Sequence, residues 1–553
     1  MKIKTFENSL SRVWLAFFVI LLAIGIFFRF ANLEYKTYWH DEVYTSMRAA
    51  GYTRQEIDQE IFDNRIIAAG ELQKFQRIKP QSTAVDTIRS LATEDPQHPP
   101  FYFLIARFWM QMFGSSLTAS RSLPALLSLL GLPLMYKLGL ELFDSRLAAV
   151  VAATLYALSP FDILFAQTAR QYSLLTVVVI ASSLSLLLAL RKATWHYWLV
   201  YSITSAVGLY THPFFGLTLI AHGVYVLLLS LQLNFSSSRF QISSILWHYL
   251  LAMIVTLGLY SPWLFVLATN YQQALATTDW ARISVDVIYL TKLWTLSFSS
   301  LFFDLDFGFN NIQTYLPRAL IIILIVAGIY QVCRKTNPKT WLFILTTIFV
   351  PFLILAVPDL LLGGKRSAVT RYLISCFPGV QLAVAFLLAD RLLVGQWIWR
   401  GIMVLLFTGS IASCTVSAFS DTWWSKDLSY FNPIVAKAIN AETNQPIISE
   451  IGDDFTNTGD LISLSYMLRQ DTPMYLLKQP FNSQLLQAYS APLVFRPSQQ
   501  LCQVFEQKQI RLEAVFKPGR LWRLRRFLSR SKGLNASKML SCSDLQGQSE
   551  SKD

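Results

Sequence analysis

The sequence predicts an α-helical polytopic membrane protein that ends in a small α/β domain. Three features point there. Of the 553 residues, 53% are hydrophobic and only 15% charged, against about 25% charged in an ordinary soluble domain. Apolar windows of the roughly 20 residues that a helix needs to cross a bilayer recur from Val13 to Phe419. From about Asp421 the pattern changes to short β-rich runs separated by amphipathic segments. The 15 Trp, 23 Tyr and 39 Phe suit interfacial belts and helix packing. A net charge of +13 can signal nucleic acid, but the basic residues lie mostly in loops between apolar spans, so no nucleic-acid partner is expected.

The opening segment, "MKIKTFENSLSRVWLAFFVILLAIGIFFRF", starts like a signal peptide, yet its apolar run is too long and lacks a small-residue cleavage site. It reads as a retained first helix with Lys2, Lys4 and Arg12 on the cytoplasmic side. Residues 32–97 form an external loop. Its middle, "RQEIDQEIFDNRIIAAGELQKFQRI", has the three-and-four spacing of an amphipathic helix lying on the membrane. Ser82 stands as N-cap of a second helix, "TAVDTIRSLA". Further spans are expected at 121–143, 147–160, 172–190, 195–212, 214–232, 245–268, 317–334, 340–360, 371–391 and 397–417. Lys137, Arg146, Arg191, Lys192, Lys335 and Lys339 then fall at cytoplasmic ends, and with about eleven crossings the C-terminal region emerges outside. Segments 99–113 and 287–303 read as partial or interfacial helices. Counting both as spans gives about thirteen crossings and inverts everything between them.

The chain thus divides into a membrane domain over 1–420, an α/β domain over 421–530 and a polar tail over 531–553 with the composition of a disordered segment. Strands are expected at "PIISEIG", "TPMYLLK", "APLVFRPS" and "QIRLEAVFKPGRLWRLRR", the last folded at Pro518-Gly519. "NPIVAKAINAET" and "QQLCQVFEQK" read as helices. The basic stretch Arg520 to Arg530 suits a solvated strand edge or contact with lipid headgroups. Five cysteines show no C-x-x-C spacing. Only Cys502 and Cys542 clearly lie outside the membrane region, and the spacing neither demands nor forbids a bridge between them. No internal repeat is evident, which weakens a transporter built from two similar halves.

Ionisable residues inside or beside spans are costly and tend to be functional. The expected topology gathers a set of them on one external side: His40-Asp41-Glu42, "QHPPFY" (Gln97 to Tyr102), Arg121, "FAQTARQY" (Phe165 to Tyr172), "YTHP" with His212, and "GGKRSAVTRY" with Lys365, Arg366 and Arg371. One base and several cations suit sugar transfer from a phosphate-linked donor: the base takes the acceptor's proton, and cations neutralise the departing phosphate. A glycosidase needs two opposed carboxyls about 5 to 9.5 Å apart, whereas adjacent Asp41 and Glu42 diverge.

Each residue also has a plainer reading. Asp41 can cap the helix "EVYTSMRAA", and Glu42 can stabilise its first turn. His98 can mark a rigid turn before two prolines. Arg121 and Arg170 can snorkel to the interface. His212 can be a satisfied interfacial residue, and Lys365, Arg366 and Arg371 a solvated loop. His40, Asp41 and Glu42 have metal-ligand chemistry, but three consecutive residues do not easily converge on one ion, and no metal site is expected.

Four stretches in order, "YWHDEVYTSMRAAGY", "QHPPFYFLIARFWMQMFG", "SRSLPALLSLLGLPLMYKLGLELF" and "LYALSPFDILFAQTARQYSLL", resemble the polytopic GT-C glycosyltransferases related to protein O-mannosyltransferases and the lipid A aminoarabinose transferase. The resemblance is strong over about residues 10 to 230 and architectural beyond. It implies a GT-C fold, a polyprenyl-phosphate-linked hexose or pentose as donor, inversion at the anomeric carbon, and a plasma-membrane enzyme whose catalytic face is extracytoplasmic. It also implies Asp41 as catalytic base with Glu42 beside it, His98 as the histidine of the family's His-Pro-Pro motif, and Arg121 as the arginine opening the following span. Arg170 and Tyr172 carry over from "FAQTARQY", where many relatives have a glutamate in place of Thr168. No cofactor is implied, although some members use a divalent cation. The identity of the sugar stays open, as does an acceptor that is protein, lipid or polysaccharide. The rival reading is a transporter or flippase of a lipid-linked or amphiphilic substrate, which needs intramembrane arginines but no base.

Overall fold

The computed structural model describes residues 12–234, 239–309, 311–442, 445–452, 456–479 and 491–526. Lys2, Lys4, the tail 531–553 and Cys542 lie outside them. The described residues form two compact units: those within 12–33, 91–106 and 118–419 make a membrane unit, and those within 34–90, 107–117 and 420–526 make an α/β unit.

In the membrane unit, eight helices among the described residues are long and apolar enough to cross a bilayer. Arg146–Leu158 and Pro160–Ala166, bent by 54° at the break between them, add a ninth span if taken as one. Trp195–Thr211 and Phe377–Leu393, also expected as spans, have 17 residues each, about 26 Å of helix, and are not among these. Phe101–Phe113 and Val287–Ser299 have 13 residues each, about 20 Å, too short for a hydrocarbon core of about 30 Å.

The bend at Ser159-Pro160 has a local cause. Proline fits the first position of a new helix, and Ser159 Oγ caps it by accepting from Asp162 N at 3.3 Å. The carbonyls freed at the preceding helix end need donors, and the buried Arg29 supplies them. Its Nη1 donates to Ala157 O and Nη2 to Tyr156 O at 3.0 Å, while Nε donates to Ser128 Oγ at 3.0 Å. Gln167 Nε2 donates to Phe28 O and Ala31 O at 2.6 and 2.7 Å. Both ends that border "FAQTARQY" and the first span are therefore closed by buried side chains.

The α/β unit is built on a six-stranded sheet of order β1-β3-β2-β4-β6-β5. Its strands are β1 (Arg65–Ala68), β2 (Ile447–Glu450), β3 (Pro473–Leu477), β4 (Leu493–Phe495), β5 (Ile510–Phe516) and β6 (Leu521–Arg526). β2 runs parallel to β3 and β4, and the remaining pairs are antiparallel. Alternation sorts the side chains onto two faces. Ile447, Met474, Leu476, Leu493 and Phe495 pack with Val43, Met47, Ile57 and Ile61 from the first loop, and with Val435 and Leu461. Ile448, Tyr475, Val494 and Trp522 pack on the other face with Leu501, Cys502 and Phe505 of the helix Gln499–Gln507. Cys502 is disulfide-bonded.

Two elements differ from expectation. The segment read as one amphipathic surface helix is a helix, Arg54–Ile61, then β1, then a 3₁₀ helix, Ala69–Gln76. Asn64 takes a left-handed φ of 62°, which breaks the helical run, and Ile66 and Ile67 pair with β3. The helix Ala84–Glu94 is opened by Thr83, not Ser82: Thr83 N donates to Asp86 Oδ2 at 2.7 Å and Val85 N to Thr83 Oγ1 at 3.3 Å. Ser82 Oγ donates to Lys79 O at 2.8 Å and accepts from Arg107 Nη2 at 2.9 Å.

Candidate active site

Asp41 lies in the first turn of the helix His40–Ala50, within the α/β unit. Its side chain is 24% exposed, with Oδ1 3.4 Å from His40 Nδ1. Glu42, the other expected catalytic carboxylate, is fully buried, and its Oε2 accepts from Trp39 N at 3.0 Å and from Lys426 Nζ at 2.9 Å. The carboxylates are therefore unequal in surroundings: Asp41 reaches the surface, and Glu42 is engaged inside. A divalent cation shared by both does not fit, because Glu42 is neutralised by an ammonium. Among the described residues no three His, Cys, Asp or Glu side chains form a metal-binding group.

In the membrane unit a second set converges. The break between Pro160–Ala166 and Tyr172–Lys192 turns sharply, with Arg170 N donating to Thr168 O at 2.6 Å. Thr168 is spent locally, its Oγ1 donating to Leu164 O at 2.8 Å. Arg170 Nη2 lies 3.4 Å from His98 Nε2 and 3.5 Å from Tyr172 Oη. Gln171 Nε2 lies 3.2 Å from His98 Nδ1. His98 is placed by its own amide, which donates to Asp95 O at 2.8 Å, and by the proline pair that follows. Trp263 Nε1 pins the same loop by donating to Pro96 O at 3.0 Å.

His212 joins this group, its ring centroid 6.1 Å from those of both His98 and Tyr172. Phe214 N donates to His212 Nδ1 at 3.1 Å, so the proton of the neutral ring sits on Nε2. Arg170 and Arg371 both bring positive charge to His212. Phe214 in turn stacks on Tyr372 with centroids 4.2 Å apart. Arg371 lies 5.6 Å from the Tyr372 centroid and 5.7 Å from that of Trp280, which Lys365 also approaches to 5.7 Å. The loop holding these cations is folded by Asp359, whose Oδ2 accepts from Ser367 N and Oγ, both at 2.6 Å. Gly364, at φ 139°, is required there, since a Cβ would sit 2.6 Å from Asp359 Oδ1.

His98, Arg170, Tyr172, His212, Lys365 and Arg371 thus form one continuous run of polar and aromatic contacts. Arg366 is half-buried on the same loop. Arg121 is buried, with Nη1 donating to Leu33 O at 2.7 Å beyond the first span. The residues that sequence reading missed are Gln171, Phe214, Trp280 and Tyr372 here, and Lys426 beside Glu42. Gln171 had a signal, standing between two chosen residues. Lys426 had none.

The mostly helical chain with its small sheet has the GT-C fold of the solved structures it resembles. Residues 97–266, fewer than a third of the chain, match the family model described as dolichyl-phosphate-mannose-protein mannosyltransferase. That segment contains His98, Arg121, Arg170, Tyr172 and His212. No curated protein matches the chain. Among solved structures, ArnT from Cupriavidus metallidurans bound to undecaprenyl phosphate is similar with a TM-score of 0.54 at 13% identity, over 95% of this chain and 100% of that one. Its apo form gives 0.52 at 13% identity, over 93% and 97%. The apo oligosaccharyltransferase of Archaeoglobus fulgidus gives 0.47 at 13% identity, over 83% and 64%.

Proposed function

We propose that this protein is a membrane glycosyltransferase that moves a hexose or pentose from a polyprenyl-phosphate donor to an acceptor, with inversion. The observation that supports it best is the convergence of His98, Arg170, Tyr172 and His212 within the segment that matches a mannosyltransferase family. An ArnT of the same fold is bound to undecaprenyl phosphate, which favours a lipid phosphate as the partner of these cations. In this reading Arg170, His98 and His212, with Lys365, Arg366 and Arg371, hold the donor phosphate and take up the charge that develops as it leaves. Arg121 braces the exit of the first span. Asp41 removes the proton from an acceptor hydroxyl or amine, whose oxygen or nitrogen attacks the anomeric carbon from the face opposite the phosphate. The carbon–oxygen bond to phosphate breaks, and polyprenyl phosphate departs without needing a proton. In this reading the α/β unit and the catalytic face are extracytoplasmic, as the positive-inside count of the spans expects.

The test uses membranes containing the protein and undecaprenyl-phosphate sugars labelled in the sugar. Wild type transfers one of these labels to protein, lipid or polysaccharide. Asp41→Asn loses transfer by roughly 10²- to 10⁴-fold, the usual worth of a positioned base, and still binds the donor. Donor that crosses the membrane without any transfer of label in wild type sinks the enzyme in favour of a flippase.

A further inference from the structure

The buried carboxylate next to Asp41 calls for an explanation that the transfer reaction does not supply. Glu42 has no exposed surface, and Lys426, its partner 384 positions along the chain, is 1% exposed. Burying both charges is expensive unless geometry and extra hydrogen bonds repay it. Here the same Oε2 also accepts from Trp39 N, so the pair fixes the peptide two residues before Asp41. The next amide is held too: His40 N donates to Ser429 Oγ at 3.0 Å. Ser429 Oγ in turn donates to Asp460 Oδ1 at 2.7 Å. Asp460 is anchored by Asn432 Nδ2 at 2.9 Å and by Arg496 Nη1 at 2.8 Å, and the Asp460–Arg496 pair is itself buried.

Lys426 and Ser429 belong to one short 3₁₀ segment, Trp424–Ser429, kinked at Asp427 with φ 38°. That segment therefore grips two successive amides ahead of Asp41, one directly and one through Glu42. Asp41 is the partly exposed carboxylate of the turn. We propose that Lys426 is a positioning residue: by neutralising Glu42 inside the α/β unit, it fixes the backbone from which Asp41 reaches its substrate. This rests on the reading of Asp41 as base. Glu42 then serves as a buried strut, and the segment after the last span is part of the catalytic apparatus through its hold on the helix His40–Ala50.

The test compares purified, folded variants with the labelled undecaprenyl-phosphate sugar that wild type transfers. Lys426→Met strands the Glu42 charge and lets the turn move. It is expected to lower kcat on the order of 100-fold, as a displacement of about 1 Å does, while KM for the donor stays within about twofold. Adding Glu42→Gln removes the stranded charge and keeps an acceptor for Trp39 N, so the double variant recovers at least about tenfold of the loss. A kcat per folded molecule within about twofold of wild type in Lys426→Met overturns the inference, as does a double variant no better than the single. Should Lys426→Met not fold, Ser429→Ala decides, since it deletes one neutral hydroxyl. A fall in kcat of about tenfold at constant KM upholds positioning, and unchanged kcat overturns it. Asp41→Asn is run alongside. If it transfers normally, the base assignment itself fails; if it is inactive while Lys426→Met and Ser429→Ala are normal, only positioning fails.

Discussion

Gly459 measures how little room surrounds the turn that carries Asp41. A Cβ there would lie 2.4 Å from Tyr44 Cε2 and 2.7 Å from His40 Cδ2, and the helix Asn457–Ser465 that bears it is buried throughout. Alanine gains about 1 kcal/mol of helix propensity over glycine, but overpacking a full core costs about 1–3 kcal/mol. The second effect wins at 2.4 Å, so Gly459→Ala is expected to lower the melting temperature of the purified protein and to cut transfer; an unchanged melting point counts against this packing. Arg170 tests the other unit. Its planar guanidinium meets His98 and Tyr172 at once, which a lysine ammonium cannot reproduce. Arg170→Lys should lower kcat/KM for the lipid donor on the order of tenfold, with kcat itself falling, because the charge Arg170 meets grows as the phosphate leaves. Equal kcat/KM in the two proteins argues against a phosphate contact. Arg170 and His212 stand out in the sequence as polar groups at the ends of apolar runs, and Tyr172 enters only through the family resemblance. Lys426, Asp460 and Arg496 do not stand out, because charges in a soluble-looking domain are ordinary until burial shows otherwise.

At the scale of elements, the long apolar periodicities gave the spans, and turn chemistry at Lys517–Arg520 gave the hairpin of β5 and β6. The first loop misled because its apolar spacing fits a helix while its partners are distant. A four-residue strand has no stability of its own, and β1 exists only by pairing with β3, some 400 residues later. Short-range signals did survive at the helix Ala84–Glu94, where Asp86 and Thr83 bond reciprocally. The Thr83 amide and hydroxyl, together with the charge of Arg89, hold the Asp86 carboxyl below its ordinary value of 3.8. A depressed carboxyl contributes stability that is fully present above the unfolded value and lost as pH falls through the folded one. Amide exchange in the first turn of this helix should therefore stay constant from neutral pH to about 4.5, beyond the known base catalysis of exchange itself, and protection should drop below the ordinary Asp value. In Asp86→Ala that acid-dependent step disappears. A step of equal size in the variant would assign it to another group.

For the whole molecule, the consequence is that an N-terminal loop and a C-terminal domain make one core. Five of the six strands follow residue 420, and the sheet face they build receives Val43, Met47, Ile57, Ile61, Leu72 and Phe75 from the loop. Further ties cross the same sequence distance: Thr37 N donates to Asp421 O at 2.8 Å, and Asn64 Nδ2 to Lys478 O at 3.1 Å. A chain ending at Phe419 keeps its membrane-spanning helices, whose backbone bonds are satisfied within each helix. It loses β3, the strand that pairs with β1, and Lys426 and Ser429, which hold the Asp41 turn. A few buried apolar side chains are worth about 1.5–3 kcal/mol each, so removing the opposite half of this core exceeds the margin of a small folded unit. Limited trypsin digestion in detergent should then cut the truncated protein rapidly at Arg54, Arg65, Lys74, Arg77 and Lys79, while the full chain resists at those sites, and transfer should be abolished. Equal digestion of the two proteins contradicts a shared core. A truncated chain that still transfers sugar removes the α/β unit from catalysis altogether, and with it the role given to Lys426.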